Sequence, residues 1–328
     1  MPSVLITTEV LRNAPGAHVD LLRQAGYDVR FPAKAALLTE EDTLEALEGI
    51  GAVIAGSEPY TDRVLAGLPQ LRVISRNGVG YDAINVPAAT RRGVVVTITP
   101  EGNYQAVAEH AMALLLAVAR SIVQNANDTR KGIWRRRTIF IPMRGKTLGL
   151  VGLGRIGRSV AIRAAAFGLR LLAFETFPDL DFVNSHAIRL VDLDTLLAES
   201  DFVSLHTPMT KETQGLINAR TLGLMKRGSL LINTARGGLV NEGDLLEALK
   251  SGHLAGAGLD VLATEPPPAG HPLLALDNVI VSPHVSALDS QAVTDMSVAA
   301  AQNILDLAAG NWPAGSVVNP DVKAAWKA

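Results

Sequence analysis

The sequence predicts an α/β protein with two doubly wound parallel sheets, and three observations carry that class. The first is a regular alternation of short apolar runs with helix-like runs over the first hundred residues. The second is a strand, glycine turn, helix and strand in succession over residues 146–175, and the third is a renewed alternation after it. Such alternation implies parallel strands joined by helices that cover both faces of a sheet. At 328 residues the chain exceeds one typical core and suits two.

In the first part, strand-like runs fall at residues 4–7, 52–55, 71–75 and 94–97, with helix-like runs at 44–49 and 61–67 between them. After the glycine unit, strands are expected at 202–206, 230–233, 256–260 and 279–282. Asn241, Asp244 and the run LLEAL make a good helix start, with Gly252 as its stop. Residues 103–121 form an apolar helical run placed to cross from one domain to the other. A last helix, 289–309 by periodicity, follows the final strand and is expected to return the chain to the first domain. Pro266, Pro267 and Pro268 read as a rigid loop, and no internal repeat or low-complexity tract is visible.

The middle unit reads KTLGLVGLGRIGRSVAIRAAAFGLRLLAFE. Gly152, Gly154 and Gly157 follow an apolar strand in the G-x-G-x-x-G spacing, which marks a Rossmann-like dinucleotide site. The first glycine allows the tight turn, the second lets backbone N–H groups approach a pyrophosphate, and the third lets the helix pack on its strand. Arg155 and Ile156 open that helix, whose N-terminus carries partial positive charge toward phosphates. The chain has 29 glycines, so the spacing alone is weak, but the second strand ends in Glu175, eighteen residues beyond Gly157. An acid there accepts hydrogen bonds from an adenosine ribose. Thr176 and Phe177 follow it without an arginine for a 2′-phosphate, so NAD is expected over NADP.

Composition narrows the remaining classes. A formal charge of -2 argues against a nucleic-acid partner, and lysine and arginine are dispersed except at Arg135, Arg136 and Arg137, a triplet that suits a solvated or subunit-contact surface. With no cysteine, disulfides, thiolate metal sites and cysteine nucleophiles are excluded, and no metal is expected. The start MPSVLITTEV lacks a basic segment or signal pattern, and the apolar run 111–119 is far shorter than a membrane span. A soluble, cytoplasmic protein without a membrane partner is the expectation.

In open α/β sheets, ligands sit beyond the carboxyl ends of strands. Arg236 follows LLIN on a glycine-rich loop, Asp260 follows GAGL, Glu265 lies in TEPPP, and His284 follows the last strand in SPHVSA. Each alone also suits an ordinary surface residue or cap. Together they suit hydride transfer to a 2-keto acid. Arginine matches a carboxylate in a bidentate fork, histidine exchanges protons near neutral pH, and a neighbouring carboxylate favours the imidazolium.

The order GLGRIG, HTPMTKETQGLIN, LLINTARGG, GLDVLATEP and SPHVSA resembles the D-isomer-specific 2-hydroxyacid dehydrogenase family over nearly the whole chain, with GKTLGLVGLGRIG and ARGGLVNE closest to its 3-phosphoglycerate dehydrogenase branch. The resemblance implies that Arg236 binds and polarises the substrate, that His284 is the proton donor and acceptor, and that Glu265 pairs with it. It places Asp260 by the nicotinamide, and His206, Thr207, Pro208, Thr234 and Ala235 on the cofactor side. His206 is the rival catalytic histidine, and His110 is expected to make an interdomain hydrogen bond. The resemblance also implies a NAD domain, residues 101–289, inserted into a flavodoxin-like substrate domain of residues 1–100 and 290–328. Homodimers through the NAD domain are common in such proteins, with the region of Trp134 to Arg137 a candidate contributor.

The loop Arg76, Asn77, Gly78, Val79, Gly80, Tyr81 resembles the family's carboxylate-binding loop, which uses backbone N–H groups. Where phosphoglycerate enzymes carry an arginine, serine and threonine cluster, this chain has Ala55, Gly56, Ser57 and Glu58, and Glu101 replaces a small neutral residue. Two carboxylates near a dianion are strongly unfavourable in a cleft. The expected substrate is therefore an unphosphorylated 2-hydroxy acid, polyhydroxy or amino-substituted, with Glu58 or Glu101 accepting its hydrogen bonds; the alternative has both carboxylates in solvent. The chain stops at Ala328, so the regulatory domain of long phosphoglycerate dehydrogenases, and serine feedback through it, are not expected. Phosphoglycerate oxidation, glyoxylate or hydroxypyruvate reduction and phosphite oxidation stay open on the same fold. An NAD-sensing transcriptional corepressor stays open as the reading of a different class.

Overall fold

The computed structural model describes residues 2–12, 14–34, 37–134, 139–324 and 326. The expectation placed on Arg135, Arg136 and Arg137 lies outside the described residues. The chain divides into two compact units, Met1–Asn103 with Ala287–Ala328, and Tyr104–Ser286.

The first unit runs β1 (Ser3–Ile6), α1 (Ala17–Gln24), β2 (Asp28–Arg30), α2 (Glu40–Ala46), β3 (Ala52–Ala55), α3 (Asp62–Gly67), β4 (Val73–Arg76), α4 (Val86–Arg91) and β5 (Val95–Thr97). Its five strands are parallel in the order β2-β1-β3-β4-β5, the flavodoxin-like winding. Successive side chains of a strand leave on opposite faces, and the core divides accordingly. Val4, Ile6 and Ile54 pack with Leu22, Ala300 and Ile304, whereas Leu5, Val53 and Ile74 pack with Val64, Leu65 and Ala88. Burying each such aliphatic side chain contributes roughly 1.5–3 kcal/mol before entropy is counted. The edge strand β5 is covered by the C-terminal segment. Val318 N–H donates to Val96 O at 2.9 Å, and the Asn319 side chain accepts from Val96 N–H and donates to Val94 O, both at 2.9 Å. An exposed row of strand N–H and C=O groups is thereby closed.

The second unit runs α5 (Tyr104–Ala119), α6 (Ile122–Arg130), β6 (Thr147–Val151), α7 (Arg155–Ala166), β7 (Arg170–Phe174), α8 (Leu180–Ser185), β8 (Arg189–Leu190), α9 (Leu193–Glu199), β9 (Phe202–Leu205), α10 (Ala219–Leu224), β10 (Ser229–Asn233), α11 (Glu242–Lys250), β11 (Leu254–Leu259) and β12 (Val279–Val281). Helix α12 (Ser290–Ala308) then belongs to the first unit, where it packs on α1, β3 and β4. The second sheet has seven parallel strands in the order β12-β11-β10-β9-β6-β7-β8. Every residue of β6, β9 and β10 is buried. Two covered faces explain why these strands read as continuous apolar runs instead of alternating ones. Leu148, Leu150 and Ile232 meet α5 and α7 on one face; Val203, Leu205 and Leu231 meet the leucines of α9, α10 and α11 on the other.

The two wound sheets expected from the sequence are present. The details that differ have local causes. The helix-like run expected at 44–49 is α2, which begins earlier because Thr39 and Asp42 form a capping box. Strands β2 and β8, with sequences DVR and RL, are too short and too polar at sheet edges to show in the chain. Among the described residues no single helix is long and apolar enough to cross a membrane.

Candidate active site

The second sheet winds outward from β6, to β7 on one side and to β9 on the other, so the loops after β6 and β9 part at this switch point. Gly152 has φ +97°, and a Cβ there would lie 2.7 Å from His206 O. A Cβ on Gly157 would lie 2.2 Å from Gly152 O, so α7 can sit on its strand only as glycine. Around Gly154 nothing comes within 4 Å of such a Cβ, which leaves open space at the start of α7. The first N–H groups of a helix lack intrahelical partners, and no side chain caps this one. Glu175 reaches back to the turn: Leu153 N–H donates to its Oε2 at 2.7 Å and Phe177 N–H to its Oε1 at 3.0 Å. Each carboxylate oxygen keeps a further lone pair for a hydroxyl.

Two polar atoms nearby along the strand ends are buried without a hydrogen-bond partner, Thr234 Oγ1 after β10 and His206 Nδ1 after β9. The open glycine turn, the uncapped helix, the fixed Glu175 and these two atoms fit a dinucleotide laid across the strand ends. His206 Nε2 lies 2.9 Å from Ser204 Oγ, and loss of solvation pushes its imidazole down to about 4. It is neutral near physiological pH and is not a proton carrier there.

The third strand end delivers Arg236. Asn233 ties the turn, accepting from Ala235 N–H at 3.0 Å and donating to Arg236 O at 2.8 Å. A Cβ on Gly237 would lie 1.9 Å from the carbonyl carbon of Leu262, so this turn lies directly against the loop that follows β11. That loop carries Glu265, whose Oε1 accepts from Leu262 N–H at 2.9 Å and whose Oε2 lies 2.6 Å from His284 Nδ1. Loss of solvation alone would raise the Glu265 carboxyl, but the hydrogen bond and charge of His284 together with the Leu262 N–H outweigh it and hold it below the usual value. An ionised Glu265 fixes the proton of His284 on Nδ1 and leaves Nε2 to exchange one.

His284 has φ +54°, a left-handed conformation uncommon outside glycine. Its N–H donates to Asp260 O at 2.8 Å. The Asp260 carboxylate, 1% exposed, accepts from Ser282 Oγ at 2.6 Å, Val285 N–H at 3.0 Å and Ser286 N–H at 2.8 Å. It therefore anchors the turn on which His284 stands. His110 Nε2 lies 2.8 Å from Ser282 Oγ and 3.5 Å from Asp260 Oδ1. The interdomain bond expected of His110 is thus a bond inside the second unit, because α5 packs on β10, β11 and β12 of the same sheet.

In the first unit, Asn77 N–H donates to Ala55 O at 3.0 Å and Gly78 N–H to Arg76 O at 2.9 Å. That leaves Val79, Gly80 and Tyr81 as the N–H groups of this loop without a partner among the described residues. Glu58 is 1% exposed. Its Oε1 accepts from Tyr60 Oη at 2.6 Å, Thr7 Oγ1 at 2.5 Å and Gly56 N–H at 3.2 Å, so it does not point into solvent. Glu101 is exposed. Arg76 brings a charge to this loop and donates to Ala55 O at 3.5 Å and also to Asn77 O.

Residues 112–286 match the family model described as D-isomer specific 2-hydroxyacid dehydrogenase, NAD binding domain. The chain belongs to that family. It is 40% identical over 303 residues to a D-3-phosphoglycerate dehydrogenase of Archaeoglobus fulgidus, covering 92% of this chain and 57% of that one. A glyoxylate reductase of Korarchaeum cryptofilum is 39% identical, with 89% of this chain and 87% of that one covered. The chain spans just over half the length of the phosphoglycerate dehydrogenases of Archaeoglobus and Synechocystis that it matches. Among solved structures, the TT0316 protein of Thermus thermophilus superposes with a TM-score of 0.87 at 40% identity, covering 96% of this chain and 99% of that one.

Within this family fold, the residues that end strands are legible in the sequence and those that hold them are not. Ser282 and Ser286 flank His284 in the quoted motif but carry no charge, and Glu242 and His271 are 29 residues apart. The loss of solvation at the His206 imidazole has a measurable consequence. Its folded-state value lies below the ordinary 6.5, so as pH falls from about 6.5 toward 4 the unfolded chain takes up the proton first and stability declines. His206→Gln should remove at most about 3 kcal/mol of that decline, so the variant's stability changes less between pH 7 and 4.5 and the wild-type minus variant difference shrinks as pH falls. Urea unfolding at pH 7, 5.5 and 4.5 reads it, and identical pH slopes would show that His206 is protonated in the fold.

Proposed function

We propose that this protein is an NAD-dependent oxidoreductase that moves a hydride between NAD(H) and a small, unphosphorylated D-2-hydroxy acid or its 2-keto acid. The observation that carries this reading is the 2.6 Å contact between His284 Nδ1 and Glu265 Oε2 on the loops after β11 and β12, with Arg236 on the loop after β10. NAD, when bound, supplies the acceptor or donor of the hydride. In reduction, protonated His284 gives its Nε2 proton to the carbonyl oxygen as that oxygen gains charge, and Glu265 stabilises the imidazolium beforehand. In oxidation the neutral ring takes the hydroxyl proton back. Arg236 binds the substrate carboxylate and polarises the carbonyl, its planar fork suiting both. In the first unit, the N–H groups of Val79 and Gly80 are the donors proposed for a carboxylate. Asp260 keeps His284 in place, and Glu175 selects the unmodified adenosine ribose of NAD over that of NADP.

Support for an unphosphorylated substrate comes from the buried Glu58 carboxylate at the end of β3 and from Ala55 and Gly56 beside it. Arg76 favours the rival reading, a phosphorylated acid as in the phosphoglycerate dehydrogenases, because it brings a guanidinium to the same loops. The cytoplasm is the proposed location.

A homodimer is the proposed assembly. Helix α6 has no buried residue, and Ile122, Val123, Trp134, Ile139 and Phe167 expose large apolar surface on the second unit. Apolar surface of this kind marks an interaction site, and a second copy is its proposed occupant. Sedimentation equilibrium should give twice the chain mass of 34.6 kDa, and a monomer at micromolar concentration contradicts the dimer.

NADH oxidation over pyruvate, glyoxylate, hydroxypyruvate, phosphohydroxypyruvate and longer polyhydroxy 2-keto acids tests the reaction and the substrate class together. Turnover of an unphosphorylated acid is expected, lowered about 10²- to 10⁴-fold in His284→Ala. Preference for phosphohydroxypyruvate would overturn the substrate class, and faster turnover with NADPH the role of Glu175. Silence across the panel would overturn the oxidoreductase reading.

A further inference from the structure

The loop after β11 is held at a point that touches no proposed ligand. Two consecutive backbone N–H groups in it serve two different carboxylates. Leu262 N–H donates to Glu265 Oε1 at 2.9 Å, and Ala263 N–H donates to Glu242 Oε1 at 2.8 Å. Glu242 is the first residue of α11, where the helix dipole favours a negative charge. Its other oxygen, Oε2, lies 3.1 Å from His271 Nε2. His271 belongs to the far end of the same loop, its side chain only 11% exposed against 22% for Glu242. His271 N–H donates to Pro268 O at 3.1 Å, and Leu273, two residues on, is buried. One carboxylate therefore joins the two ends of residues 263–271. Because His271 Nδ1 is buried without a partner, the tautomer that suits the site carries its proton on Nε2, toward Glu242.

We propose that Glu242 and His271 form a positioning pair that sets the proton device of the reaction by fixing the 262–265 turn. This rests on the roles proposed above for Glu265 and His284. The turn has contacts on both sides that transmit a shift. On one side Leu262 lies against the Arg236 turn at Gly237, closely enough to exclude a Cβ. On the other, Glu265 holds His284 Nδ1 at 2.6 Å. Without the Glu242 carboxylate, His271 Nε2–H, on a side chain only 11% exposed, loses its acceptor, and an unpaired donor away from bulk water is unfavourable; the exposed Ala263 N–H loses the acceptor that fixes its direction. The turn then loses the anchor at Ala263, and Leu262 N–H, in the preceding residue, no longer aims at Glu265. Neither member of the pair touches a reacting atom. Both act through Glu265.

Three variants separate positioning from general stability. His271→Phe keeps a ring in the site and removes the donor, His271→Gln restores a donor at similar reach, and Glu242→Gln keeps an oxygen for Ala263 while presenting an amide to His271. The readouts are kcat and KM on the preferred keto acid, thermal unfolding, and the side-chain ¹⁵N shifts of His284, which report where its proton sits. His271→Phe is expected to lower kcat about 10- to 100-fold, leave the KM for NADH within about twofold, and show His284 as a mixture of tautomers. His271→Gln is expected to recover most of kcat and the Nδ1–H tautomer. Wild-type kcat together with a wild-type His284 pattern in His271→Phe would overturn the proposal, as would equal damage in Phe and Gln variants. Should His271→Phe fail to fold, Glu242→Gln decides by the same ¹⁵N pattern, and an unchanged pattern overturns it. A wild-type protein silent on every keto acid would defeat the functional reading, yet the tautomer comparison would still decide the pair.

Discussion

The hydrogen bond between Glu265 and His284 is the interaction around which the loops after β11 and β12 are arranged. It asks for an exposed imidazole and a half-buried carboxylate at 2.6 Å, brought from two loops nineteen residues apart in sequence. Neither loop is rigid by composition. Each is made rigid by carboxylates that accept backbone N–H groups: Asp260 takes those of Val285 and Ser286, Glu265 that of Leu262, and Glu242 that of Ala263. Charged acceptors form the stronger class of hydrogen bond, and here they replace regular secondary structure as the means of fixing a turn.

The parallel sheet explains why such turns gather where they do. Parallel strands with right-handed crossovers place all their carboxyl ends on one edge, so β6, β9, β10, β11 and β12 each contribute one loop to it. Buried on both faces, β6, β9 and β10 carry no charged side chain and only the small polar Thr147, Ser204, Ser229 and Asn233. The residues proposed for function accordingly lie among the first few after each strand: Gly152, His206, Arg236, Asp260 and His284. Close backbone approach then determines residue type, as with Gly157 against Gly152 O and Gly237 against Leu262.

This division also explains what could be read from the chain. The strands β6, β9 and β10 were legible because two buried faces produce unbroken apolar runs, and the glycine turn was legible because its spacing is local. Arg236, Glu265 and His284 showed themselves by charge at strand ends. Glu242 and His271 did not, since a capped helix start and a histidine before proline each have an ordinary local explanation, and only the fold brings them to 3.1 Å. Glu58 shows a different limit. Its position after β3 was legible, but its burial against Tyr60 and Thr7 depends on residues 2 and 51 positions away. Helix α6 was missed because it buries nothing, and apolar periodicity is the signal by which helices are found.

The family relationship fixes the fold and the cofactor class, while the chemistry proposed rests on the Glu265 carboxylate, held below its usual value in part by His284, facing the imidazole that exchanges a proton with the carbonyl oxygen. The measurement that tests this most directly is the pH dependence of kcat/KM for keto-acid reduction in the wild type and in Glu265→Gln, an exchange that keeps size and removes charge. A neutral amide stabilises the imidazolium less, so the alkaline limb of the variant should move to lower pH while the rate at the acidic plateau falls less. An alkaline limb at the same pH in both proteins would contradict the account, because the charge of Glu265 would then have no part in holding the proton.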